Sequence, residues 1–196
     1  MASERSTGPE DVKGPSLALI EVASIARGHR VADAMVKRAP VELLRCDAVS
    51  PGKFLVLVAG DVAAVDEAYR AGLEIAGDAT LDRLVLPQAH EQLPGALRGE
   101  ARAGDAAGVG ALGIVETTTV AATILAADAA TKAALVRLIE MQLARGIGGK
   151  AYFIVTGTLA EVEAAVEAAV GAVDAATLRA TEIIAAPHED LVARLR

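Results

Sequence analysis

The pattern of residues in the first half of the chain returns in the second half at a fixed spacing. Leu19-Ile20-Glu21-Val22, Val31-Ala32-Asp33-Ala34 and Lys37 recur as Ile114-Val115-Glu116-Thr117, Ala126-Ala127-Asp128-Ala129 and Lys132. Glu21 to Glu116, Asp33 to Asp128 and Lys37 to Lys132 are each 95 positions apart. An offset kept over several residue types is the mark of a duplicated module, and it restricts the fold to one small architecture built twice. The 196 residues therefore divide into a tail over 1–15, a first domain over 16–97, a linker over 98–110 and a second domain over 111–196.

Within each copy the same element order is expected. A strand over 17–22 precedes a helix that Ser24 caps and Pro40 stops. Strands over 41–49 and 53–59 flank the turn Ser50-Pro51-Gly52. A helix over 62–76, with Asp61 as candidate cap, leads to a strand over 81–86 and a short helix reaching Leu97. The second copy repeats this with strands over 111–117, 135–143, 150–156 and 178–184. Its helices are expected over 120–133, from 157–158 to about 173, and over 188–195. The order β-α-β-β-α-β plus a short helix is that of an α+β, ferredoxin-like split sheet. The spacing drifts between copies: Lys53 to Lys150 and Gly60 to Gly157 are 97 apart, so two residues are extra in or near the second hairpin.

Composition limits what such a module does. Apolar residues make up 53% and aromatics 2%, which gives each copy a thin, alanine-rich core that gains from packing on its twin or on other chains. The net charge of −7 and the absence of basic clusters argue against nucleic-acid binding. The longest apolar runs, such as Phe54-Leu55-Val56-Leu57-Val58, suit strands and not membrane spans. The polar N-terminus has no apolar signal core. One cysteine, Cys46, excludes an internal disulfide framework, and the chain reads as cytosolic.

Local motifs carry little chemistry. Gly108-Val-Gly110-Ala-Leu-Gly113 has the dinucleotide spacing, but its glycines lead into a strand, whereas that site needs a helix N-terminus after them. Gly148-Gly149-Lys150 lacks the remaining features of a phosphate loop. His29, His90 and His188 have no ligand or nucleophile set around them, so no metal, cofactor or enzymatic activity is expected. The hairpin tips 48–53 and 145–150 both end in Gly-Lys. The three glycines of the second tip exceed what one turn needs and permit close backbone approach to a ligand or an axis.

The segments 18–21, 31–39, 50–53, 60–65 and 86–90 together resemble the BMC domain of bacterial microcompartment shell proteins. Residues 111–117, 126–132, 146–150 and 187–188 resemble it again. Two such domains in one chain resemble the tandem class, whose members form trimers shaped as pseudohexagons. That resemblance implies a structural shell protein, not an enzyme, that tiles with hexameric and pentameric shell proteins around a compartment in the cytoplasm. It implies a central pore for small polar metabolites, lined by Ser50, Pro51, Gly52, Ile147, Gly148 and Gly149. Lys53 and Lys150 add positive potential there if they face the lumen. It also implies tile-edge contacts by Lys37, Lys132, His90 and His188. Gln88 and Ala186 stand where the family commonly has arginine, which alters the edge. Some tandem members hold an iron–sulfur cluster through a tip cysteine, and these tips have none, so no cofactor is expected. The alternative is a tandem ferredoxin-like sensor or binding protein with a small-molecule site between the copies.

Overall fold

The computed structural model describes residues 14–101 and 108–195. The expected tail lies almost wholly outside them, and the expected linker is described only at its two ends. The first copy comprises β1 (Ser16–Val22), α1 (Ile25–Arg38), β2 (Glu42–Val49), β3 (Lys53–Gly60), α2 (Val62–Ala76), β4 (Thr80–Leu86) and α3 (Gln92–Leu97). The second comprises β5 (Ala111–Thr117), α4 (Val120–Ala133), β6 (Arg137–Leu143), β7 (Ala151–Gly157), α5 (Leu159–Gly171), β8 (Leu178–Ile184) and α6 (Glu189–Val192). Each copy is one four-stranded antiparallel sheet, ordered β2-β3-β1-β4 and β6-β7-β5-β8.

Local chemistry sets the helix starts. The Ser24 and Thr119 side chains accept from the amides of Arg27 and Ala122, and Thr158 with Glu161 forms a reciprocal capping box. Asp61 stands at the N-cap of α2 as expected, but its carboxylate makes no capping bond. Most boundaries fall within one or two residues of the sequence expectation, and two of the differences have a plain local cause. Strand β6 starts at Arg137, not at residue 135, because Val136 N–H donates to Ala134 O at 2.8 Å and this tight turn throws Leu135 into solvent. The closing helix spans only Glu189–Val192. His188 caps it, and Arg194 and Leu195 tighten the following turn through bonds to residues three back.

One sheet face in each copy is covered by that copy's own helices. Ala18, Ile20, Val22, Val56 and Val58 meet Val31, Met35 and Val65 in the first. Val115, Phe153 and Val155 meet Ala126, Ala130 and Val162 in the second. The other face of the first sheet is closed from outside. Leu17, Leu19, Leu55 and Leu57 join Leu93 and Leu97 of α3 and Val120, Ala121 and Ile124 of α4 in one cluster that bridges the copies. Strand β1 is therefore buried at every position, whereas in β5 Ile114 and Glu116 remain partly open.

Gly171 closes α5 with a negative φ, and a methyl placed on it meets no atom within 4 Å. Gly171→Ala is expected to raise stability by about 0.4–1 kcal/mol by restricting the unfolded chain. A thermal melt should show a rise of roughly 1–3 °C.

Candidate functional site

Two features stand out from the sheets: the hairpin tips, which both copies have, and the seam between the copies, which the chain forms once.

Strand pairing locates the spacing drift. Ala48 faces Phe54 and Leu143 faces Ala151, so residues 49–53 of the first tip correspond to the longer stretch 144–150 of the second. The extra residues are accommodated by left-handed backbone at Ala144 (φ 53°), Gly146 (77°), Gly148 (68°) and Gly149 (86°). The tips touch. Ser50 N–H donates to Ala144 O at 3.2 Å, and Gly146 N–H donates to Ser50 Oγ at 3.3 Å. A Cβ on Gly149 would stand 3.3 Å from Pro51 Cδ and 3.3 Å from Ser50 O. The amides of Ile147, Gly148 and Gly149 donate to nothing among the described residues. Two of these unused N–H groups, on Gly148 and Gly149, sit on left-handed backbone, and successive N–H groups around such positions form a concavity that favours anions.

The tip lysines are neutralised in both copies. Lys53 Nζ bonds Glu21 Oε1 at 2.5 Å, and Lys150 Nζ bonds Glu116 Oε1 at 2.6 Å. Arg145 is likewise paired, to Asp47 at 3.3 Å, and Asp47 also receives Arg45. The two lysine pairs span more than 30 residues of sequence and no local pattern announces them. The expected positive potential from Lys53 and Lys150 is thus largely cancelled at its source.

At the seam, α3 lies across α4 and the edge of β6. The Gln92 amide donates to Val136 O at 2.9 Å and accepts from Leu138 N–H at 2.7 Å, completing that strand's edge. The buried Asp128 carboxylate accepts from His90 N–H at 2.7 Å and from Lys132 at 2.6 Å. Lys132 also donates to Gln88 O. Four residues expected at tile edges thus divide. His90 and Lys132 meet around Asp128 at the seam, while among the described residues Lys37 pairs with Asp33 alone, at 2.7 Å, and His188 caps α6.

Cys46 lies on β2, half-buried; burial, and the Asp47 carboxylate next, push its thiol up, which disfavours the thiolate. Among the described residues no three His, Cys, Asp or Glu side chains gather where a metal ion would fit, and no helix is long and apolar enough to cross a membrane.

The BMC domain model matches residues 16–89 and again 111–187. The chain is 41% identical over 177 residues to the bacterial microcompartment shell protein PduT of Citrobacter freundii, covering 90% of this chain and 95% of that one. A solved microcompartments protein from Desulfitobacterium hafniense superposes with a TM-score of 0.85 at 42% identity, over 91% of this chain and 98% of its own. The major carboxysome shell protein CsoS1A of Halothiobacillus neapolitanus is 40% identical over 86 residues, 42% of this chain but 88% of that protein.

Proposed function

The chain belongs to the BMC-domain family of bacterial microcompartment shell proteins, and from that premise we propose that three copies close into a pseudohexagonal tile with six hairpin tips around a central pore. Its role is structural, and its relatives are shell components, not enzymes. Shell proteins of this kind assemble into hexameric or pseudohexameric tiles.

The observation that carries the trimer is the unfinished second seam. Residues buried where the two copies meet inside the chain have counterparts that stand open. Val120 is 0% exposed and its counterpart Ile25 is 45% exposed; Leu93 is 0% exposed and Leu191 is 41% exposed. The Asp128 side chain is 6% exposed and that of Asp33 is 58% exposed. Repeating the internal seam between chains lays α1 of one copy over the open face of β5 and β7 in its neighbour. Asp33 then accepts from the neighbour's His188 amide, and Lys37 reaches its Ala186 carbonyl. Each chain adds two domains, so three chains make a ring of six.

In that ring Ser50, Pro51, Gly52, Ile147, Gly148 and Gly149 border the pore. The lysines are paired, so passage is governed by the unused amides of 147–149, which suit small polar or anionic metabolites. His90 and Lys132, expected at the tile edge, line the seam inside the chain, and Lys37 and His188 line its counterpart between chains; the completed tile packs beside hexameric and pentameric neighbours in a shell within the cytoplasm. Sedimentation equilibrium tests the ring: a mass three times the 19.9 kDa chain is expected, and a monomer at micromolar concentration overturns the proposal.

A further inference from the structure

The two seams of the ring are not chemically alike. Inside the chain, Leu84 of β4 and Leu125 of α4 line one crevice between the copies and both pack against the bridging core. The strand registers give their counterparts without ambiguity. Leu84 faces Leu19 on β1 as Glu182 faces Ile114 on β5, and α1 and α4 align from Ile25 and Val120, which sets Leu125 against Arg30. An apolar pair in one seam therefore corresponds to an arginine and a glutamate in the other.

Both charged residues are exposed in the single chain, and neither has an ionic partner among the described residues. A single charge in that crevice would be desolvated without compensation, which is strongly unfavourable. Opposite charges at both positions satisfy one another. Resting on the trimer reading above, we infer that Arg30 of one chain and Glu182 of its neighbour form an ion pair across the seam between chains, and that this pair sets which surfaces mate. A first-copy helix face set against a first-copy sheet face would bring Arg30 onto Leu84. A second-copy helix face on a second-copy sheet face would bring Leu125 onto Glu182. Each mismatch strands a charge on a leucine, so the pair selects the alternating ring over other pairings.

The test uses the full chain and three variants, Arg30→Glu, Glu182→Arg and the double exchange. Chains labelled with two dyes are mixed, and their exchange between trimers is followed by energy transfer. Each single reversal places like charges in the seam and should speed exchange by roughly tenfold or more, while the double exchange returns it toward wild type. Circular dichroism melts of the variants under conditions that separate the chains should match wild type, since both side chains are exposed there. Trimers whose exchange is unchanged by both reversals, or a double variant no slower than the singles, overturn the pair while leaving the trimer standing. A wild-type protein that is never trimeric overturns the ring and the pair together.

Discussion

Lys53→Met is expected to destabilise the protein by about 3–5 kcal/mol, whereas Lys150→Met, the same change in the second copy, should cost no more than about 1 kcal/mol. The chemistry is matched and the burial is not. Glu21 is 2% exposed, and among the described residues Lys53 is the one cation paired with it. Removing the ammonium leaves a carboxylate inside the bridging core with no compensating charge, and that is the costly way to break a buried pair. The Glu116 side chain is 31% exposed and its lysine 46%, so water replaces the lost partner. Urea midpoints of the two variants, taken at equal protein concentration, separate the cases. Equal shifts would show that burial of Glu21 does not govern the pair.

The second large effect is a compensated exchange that the molecule already contains. In the first copy Gly28 of α1 lies against Phe54. A Cβ on Gly28 would stand 2.2 Å from Phe54 Cδ1, and the ring also packs on His29 with centroids 4.7 Å apart. In the second copy the corresponding residues are Thr123 and Ala151, so bulk has moved from strand to helix. Thr123 is fully buried and its hydroxyl lies 2.6 Å from that of Thr117. Phe54→Ala alone should cost about 3–5 kcal/mol by opening a cavity. Gly28→Thr alone should cost about 1–3 kcal/mol or more by overpacking. The double variant rebuilds the second copy's arrangement, and the threonine can turn its hydroxyl to the Ser24 carbonyl, as Thr123 does to Thr119 O at 3.3 Å. Its loss should fall below the sum of the singles by at least about 1–2 kcal/mol. Strict additivity in denaturation would contradict the reading.

Much of the fold was legible because a duplicated chain states each element twice. Strands β5 and β8 and helix α4 run where the alternation and spacing put them. The seam was not legible. The residues that cover Leu17, Leu19, Leu55 and Leu57 come from α3 and, 63 to 107 positions away, from α4, and local periodicity carries no sign of a partner at that distance. For the same reason the tip lysines could be located but not their charge state, since Glu21 and Glu116 reach them across the sheet. Tip length was legible as a drift in spacing. That this drift is absorbed by left-handed glycines against Ser50 and Pro51 needed coordinates.

The borrowed cover on the first sheet also has a consequence during synthesis. The first copy can form its strands and its own helices once Leu97 has left the ribosome, but α4, which completes the cover, ends only at Ala133. At bacterial rates of about 5–20 residues per second, a leucine-lined face waits for about 2–7 seconds without its lid. For that interval the nascent chain displays the kind of surface that chaperones bind and that other nascent chains adhere to. A pause in translation between α3 and α4 would lengthen the exposure, and cutting the message between the copies would make it permanent.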